Sequence, residues 1–204
     1  MNTNYSLDKI DQIWSALRNG RLEAATLTYK NYIESNKMGK EALKMASQYG
    51  DKKLISFLHS FVKDDFDKDY CIICCASNGN LQGLKYFEIA KERKRIIEIA
   101  FNKSCRYGRM KVFKYLIKLG VDIRNDNDYG IKQATLHQHY KIVRYFIKNL
   151  KVCANIHDNL LIKYACFNQN YQISNFLIKF GADINACNVN KKMRKFSLSV
   201  KNTI

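Results

Sequence analysis

The chain has 204 residues and a formal net charge of +17, and this length is sufficient for one hydrophobic core or one elongated repeat array. Its 47% of hydrophobic residues excludes a disordered protein. It contains no proline, which favours uninterrupted helices. No run of about 18 apolar residues occurs and the start of the chain is polar, so the sequence predicts neither a membrane span nor secretion. Seven scattered cysteines without a secretory signal predict reduced thiols and an intracellular location.

Six segments of the chain repeat one helix–turn–helix pattern, and their turn residues are spaced 29–31 residues apart. The aligned turn residues are Gly20, Gly50, Gly79, Gly108, Gln138 and Gln169. The predicted repeats lie near residues 10–38, 39–67, 68–96, 97–124, 125–155 and 156–187. A basic tail, 188–204, follows them, and we expect it to be poorly ordered.

Each predicted repeat consists of two short helices with columns of residues at helical spacing. The first helices carry a large apolar column: Ile13, Leu43, Ile72, Phe101, Ile131 and Ile162. Three residues later lies a column of small residues that permits close helix approach: Ala16, Ala46, Cys75, Ser104, Ala134 and Ala165. The second helices carry two further columns: Ile55, Leu84, Phe113, Val143 and Ile173, then Leu58, Phe87, Leu116, Phe146 and Leu177. Neither helix buries its apolar face alone, so the repeats must stack, and the turn glycine ends the first helix in a left-handed conformation.

The acidic loop 124–134 has the alternating oxygen donors of a calcium-binding loop. The EF-hand pattern nevertheless fails, because Tyr129 and Leu136 would then have to be ligands. In the repeat frame Asp128 lies directly before a first helix, so we predict that it caps that helix by accepting hydrogen bonds from free N–H groups. The equivalent residues of other repeats are Asp69 and Asn159.

Other candidate sites have structural interpretations. A C-x-x-C pattern within residues 71–75 suggests zinc, but its cysteines fall in packing columns and no second pair stands at zinc-site spacing. His137 and His139 flank a turn and are interpreted as turn residues rather than a metal pair. No nucleophile–base pair, phosphate-binding glycine loop or motif-placed carboxylate pair is found. The sequence therefore predicts no catalytic residues, metal, cofactor or small-molecule substrate.

Three motifs in the second half carry a family resemblance: "GVDIRNDNDYGIKQA", "HYKIVRYFIKN" and "FLIKFGADIN". They resemble the shortened ankyrin repeats of giant amoebal DNA viruses of the mimivirus type, over about residues 10–187 and most clearly 103–187. The resemblance implies an all-α fold, an α-solenoid of about six short helix–turn–helix repeats with a period of about 30 residues. It also implies a viral, non-enzymatic module that binds a host or viral protein in the host cytoplasm or nucleus. The T-P-L-H opening of the usual ankyrin consensus is absent, and residues 88–99 lack the G-x-D-I signature.

Stacked repeats present a concave face formed by the first helices and turn tips, where we expect a protein partner to bind. The predicted contact residues are Lys44, Lys103, Tyr107, Arg109, Lys132, Gln133, His137, His139, Lys163 and Tyr164. The less favoured alternative is that nucleic acid or an acidic surface binds a basic stripe on the convex face. The stripe consists of Lys85, Lys114, Lys118, Arg144, Lys148 and Lys179.

The repeat pattern stops at residue 187 without a polar capping helix. The apolar end of the last repeat is therefore expected to be covered by the tail, by a partner or by a second copy of the chain. A third interpretation of the whole chain is a degenerate family copy that has no partner.

Overall fold

The computed structural model describes residues 3–34, 37–62, 67–89 and 92–187, together with Lys195 and Val200. The prediction of an all-α fold is confirmed, since these residues form helices and turns and no strand. None of the described helices combines the length and apolarity that crossing a membrane requires. The α-helices are α1 (Thr3–Arg18), α2 (Leu22–Thr28), α3 (Gly39–Tyr49), α4 (Lys52–Val62), α5 (Lys68–Asn78), α6 (Leu81–Tyr86), α7 (Lys94–Arg106), α8 (Met110–Lys118), α9 (Asn125–Leu136), α10 (Tyr140–Lys148), α11 (Ile156–Phe167) and α12 (Tyr171–Lys179).

The helices stack as a solenoid of antiparallel pairs. The odd-numbered helices are the predicted first helices, and each contacts the next along one side of the array. The even-numbered helices α4 to α12 are the predicted second helices and lie along the other side. Contacts between successive first helices are more extensive than those between second helices, which makes the first-helix layer the tighter side of the stack. Two short helical turns, Tyr29–Glu34 and Ile184–Cys187, extend α2 and follow α12.

The predicted columns form the core. Every residue of the large first-helix column is fully buried, and so are both second-helix columns apart from slight exposure of Phe87. The small-residue column is likewise buried except at Ala16, which is half-buried. Three rings from two neighbouring repeats pack together: the Phe113 ring centroid lies 5.3 Å from that of Phe101 in its own repeat and from that of Phe146 in the next. The hydrophobic core is therefore continuous across repeat boundaries rather than divided into one core per repeat.

The turns between paired helices adopt the left-handed conformation at five of the six aligned positions. These positions are Gly20, Gly79, Gly108, Gln138 and Gln169. The prediction is wrong at Gly50, whose φ of −72° and ψ of 156° are extended, so α3 ends without a left-handed residue.

Each turn is joined to the preceding repeat by a polar residue directly after the turn position. We call this set the turn ladder; its members are Asp51, Asn80, Arg109, His139 and Asn170. Arg109 Nε donates to the carbonyl oxygen of Ser77 (2.8 Å) and His139 Nε2 donates to that of Arg106 (2.7 Å). Asp51 accepts from the Trp14 indole (3.1 Å). First helices end with unsatisfied carbonyl groups, and the donors Asn80, Arg109 and His139 satisfy such acceptors of the preceding repeat.

Asn80 makes the most contacts of this ladder and provides a prediction. Its Nδ2 donates to the carbonyl oxygens of Ser47 (3.1 Å) and Gly50 (2.8 Å), while its Oδ1 accepts from the backbone N–H of Gly83 (2.9 Å). We expect Asn80→Ala to lower the free energy of unfolding by about 2 kcal/mol, because three partners lose a hydrogen bond. Asn80→Asp should cost a similar amount, since it keeps the cap but points a carboxylate at two carbonyl oxygens.

Urea unfolding followed by circular dichroism measures both changes. The exposed Asn175→Ala in α12 is the control, and its effect should stay within about 0.5 kcal/mol. An Asn80→Asp protein as stable as the wild type would show that the two donated bonds are unimportant.

The end of the array contains a disulfide bond that the sequence did not predict. Cys166 of α11 pairs with Cys187 of the final helical turn, with Cα atoms 6.3 Å apart. The prediction of reduced thiols is therefore wrong for this pair, because the fold brings two buried cysteines together across the last repeat boundary. The predicted tail lies outside the described residues except for Lys195 and Val200, and Val200 is buried in the core.

Candidate functional site

The predicted contact residues of the first helices lie in one row along the array. Lys44, Lys132 and Lys163 occupy equivalent positions on α3, α9 and α11, and all three are half-buried. The Lys44 ammonium lies 5.0 Å from the centroid of the Tyr70 ring. Lys103, Gln133 and Tyr164 lie one position further along their helices and are also half-buried. We call these six residues the first-helix row.

The predicted turn residues divide into two groups. Tyr107 and His137 are exposed at the ends of α7 and α9, where they are accessible to a partner. Partial burial of the imidazole lowers the pKa of His137, and the neighbouring Arg106 and His139 lower it further. Arg109 and His139, by contrast, use their side chains in the turn ladder. Their hydrogen bonds connect neighbouring repeats, and Tyr107 and His137 are the more exposed of the four turn side chains.

The acidic loop before α9 has a different role from the predicted cap. Asp126, Asn127 and Asp128 all have left-handed backbone angles, so the right-handed part of α9 begins after them. The Asp128 side chain is 4% exposed and forms an ion pair with Arg124. His157, in the equivalent loop of the next repeat, donates to Asp128 Oδ2 (2.9 Å). The capping prediction is wrong for Asp128, because its carboxylate joins two repeats instead of binding N–H groups of its own helix.

The same loop contact recurs in other repeats. Asn159 Oδ1, the equivalent of Asp128, accepts from the backbone N–H of Asp183 (2.8 Å). Asp69 forms an ion pair with Arg93 at 2.5 Å. His157 and Arg93 were not singled out from the sequence, although Asp69, Asp128 and Asn159, at equivalent positions of three repeats, were the available signal.

The predicted basic stripe is exposed along its full length, from Lys85 on α6 to Lys179 on α12. Three of its lysines lie over aromatic rings of the following repeat. The Nζ-to-centroid distances are 5.9 Å for Lys85 and Tyr115, 5.3 Å for Lys114 and Tyr145, and 5.7 Å for Lys148 and Phe180. Aromatic rings therefore alternate with cations on this side of the array, a feature that the sequence alone did not reveal.

Residues 101–188 match the family model of ankyrin repeats, in three copies. This part of the chain carries ankyrin repeats. The matched region agrees closely with the part in which the sequence resemblance is clearest. The buried columns of the ankyrin array continue through α1 to α6, so the stack extends beyond the matched residues.

The ankyrin array resembles a viral ankyrin repeat protein. It is 31% identical over 110 residues to an ankyrin repeat protein of Acanthamoeba polyphaga mimivirus. The alignment covers 52% of this chain and 28% of that relative, so the chain spans only part of the relative's length. Ankyrin repeats are in general protein–protein interaction modules with a non-enzymatic fold.

Three buried cysteines of the ankyrin array are poorly suited to bind a metal ion. Burial raises the pKa of the Cys71, Cys75 and Cys105 thiols, which keeps them protonated, whereas zinc binds the thiolate. Among the described residues, no three His, Cys, Asp or Glu side chains are grouped closely enough to hold a metal ion. Cys71 and Cys75 instead pack in the first-helix layer as small apolar residues.

Proposed function

We propose that this ankyrin array is a non-enzymatic viral module that binds an acidic surface of a host or viral protein inside the infected cell. The observation that carries the proposal is the first-helix row, whose lysine, glutamine and tyrosine side chains run along the tighter side of the stack. Solenoids use this concave side to bind extended partners. Exposed Tyr107 and His137 add an aromatic rim at the turn tips.

The charge of the row favours an acidic partner. Lys132 and Lys163 present ammonium groups from adjacent layers of the array, and Lys44 presents one from a layer three repeats earlier. All three residues are half-buried, which limits the side-chain freedom lost on binding. Like charges facing each other across an interface are strongly unfavourable, so a basic partner would be rejected. Similarity to a mimivirus protein supports a viral origin and hence a partner in the infected host cell.

The proposal predicts that charge reversal of the row removes partner capture. We expect the variant K44E/K132E/K163E to have an affinity for its partner at least tenfold lower, roughly, than that of the wild type, because the introduced carboxylates repel an acidic surface that the lysines attract. Immobilised protein would be incubated with amoebal lysate, and captured proteins quantified by mass spectrometry. Binding of the identified partner would then be measured with purified proteins.

A matched control variant, K85E/K114E/K118E, changes the same number of charges on the second helices. It should retain the partner, since these residues lie on the other side of the array. Equal capture by the first-helix variant and the wild type would contradict the proposal, and so would equal loss in both variants.

A further inference from the structure

Charge is segregated across the array. The five second helices from α4 to α12 contain no aspartate or glutamate. Their basic residues are Lys52, Lys53, Lys85, Lys111, Lys114, Lys118, Lys141, Arg144, Lys148 and Lys179. The acidic residues 126 and 128 lie instead in the left-handed start of α9, and residue 122 lies in the loop before it. A basic potential therefore accumulates on the second-helix side with no carboxylate on these helices to neutralise it.

A groove opens on this side between α8, α10 and α12. Its first part, about 680 Å³, lies between α8 and α10 and is lined by Lys114, Lys141, Arg144 and Lys148, among others. Its second part, about 500 Å³, continues between α10 and α12 as far as Lys179. The two parts share residues of α10, and no carboxylate lines either part. We call the two parts together the outer groove.

Aromatic and amide side chains complete the lining of the outer groove. Tyr140 lies in both parts, Tyr145 in the first and Phe180 in the second. Gln172 and Asn175 contribute amide groups, which can both donate and accept hydrogen bonds. None of the lining lysines forms an ion pair with a carboxylate in the described part of the chain. The cations are instead held near rings, as Lys114 is near Tyr145 and Lys148 near Phe180.

We propose that the outer groove binds single-stranded nucleic acid. A row of unpaired cations follows a phosphate backbone, aromatic faces stack on unpaired bases, and uncharged amides contact base edges. An anionic membrane would meet the lysines but leave the aromatic walls of the groove unused. An acidic peptide has no planar bases to place against the rings. This activity lies on a different surface from the first-helix row and does not depend on a protein partner.

The proposal is tested by fluorescence anisotropy with the purified full-length chain and labelled single-stranded DNA and RNA of about 20 nucleotides. We expect binding at about 50 mM salt, with an affinity that falls steeply as salt increases. The variant K114Q/R144Q/K148Q should bind at least about tenfold more weakly. The slope of log affinity against log salt should become shallower by about 2, since each phosphate contact on a single strand contributes about 0.7.

Two further variants distinguish binding in the outer groove from a general effect of the positive charge of the protein. K44Q/K132Q/K163Q removes equal charge from the first-helix row and should stay within about threefold of the wild type. Phe180→Leu keeps an apolar side chain but removes a ring, so affinity should fall several-fold while the salt slope stays unchanged. Circular dichroism and urea midpoints would establish that each variant is folded.

Several outcomes would overturn the proposal. These are no binding at low salt, equal losses in the two triple variants, or an unchanged affinity of Phe180→Leu. Polyglutamate or phosphatidylserine vesicles that bind as tightly as the oligonucleotides would also overturn it, because the outer groove would then recognise negative charge alone.

Discussion

Replacing Phe146 by alanine is expected to lower the free energy of unfolding by about 3–5 kcal/mol, the typical cost of removing a fully buried aromatic ring. Phe146 belongs to α10, and its ring centroid lies 6.0 Å from that of Phe101 and 5.3 Å from that of Phe113. These rings come from the preceding repeat, so the substitution weakens the interface between two repeats as well as the core of one. Equilibrium urea unfolding followed by far-UV circular dichroism measures the loss.

A matched control tests whether burial causes this effect. Phe167→Ala removes a ring that is 52% exposed at the end of α11, and its cost should stay within about 1 kcal/mol. The urea-unfolding transition of the Phe146 variant should also be broader than that of the wild type, because a repeat array loses cooperativity when one interface between repeats is weakened. Similar losses in the two phenylalanine variants would contradict a core that is continuous through Phe146.

Gly108→Ala is expected to lower the free energy of unfolding by about 3 kcal/mol or more. Gly108 has a φ of 69°, which disfavours any L side chain. A Cβ at this position would also lie 2.5 Å from His139 Nδ1, closer than any normal contact. The His139 ring cannot withdraw freely, because its Nε2 donates to the Arg106 carbonyl oxygen.

Gly120 provides the control for the backbone contribution alone. Its φ is 87°, and a Cβ there would meet no atom within 4 Å among the described residues, so Gly120→Ala should cost about 1–2 kcal/mol. The double variant G108A/H139A removes the obstructing ring. In the His139→Ala background, Gly108→Ala should therefore cost no more than Gly120→Ala. Equal costs for Gly108→Ala and Gly120→Ala in the wild-type background would show that the contact with His139 is unimportant.

The core was predictable from the sequence because burial follows a simple period. Ile131 and Ala134, three residues apart, lie on one helical face, and the same pair of positions recurs about every 30 residues. Six copies of one pattern identify the buried face more reliably than any single helix could. All predicted large core positions are therefore buried in the structure.

The polar contacts between repeats were not predictable in the same way. Asp128 was predicted to cap its own helix because Asp is common at that position. Its partners are instead Arg124, four residues earlier, and His157 in the loop of the next repeat. Arg109 and His139 were predicted to face a partner, but each donates to a carbonyl oxygen of the preceding repeat. A polar side chain has several suitable partners within reach, and only the distance between stacked turns selects one.

The sequence by itself determined the repeat length, the pairing of helices, the buried columns and the ankyrin type of the array, because each depends on residues close together along the chain. The tertiary structure decided which polar residues join repeats, which cysteines pair and where cations meet aromatic rings. Lys114 and Tyr145 lie on different repeats and meet only when α8 and α10 stack. Such contacts depend on the offset and rotation between neighbouring repeats, which no local pattern specifies.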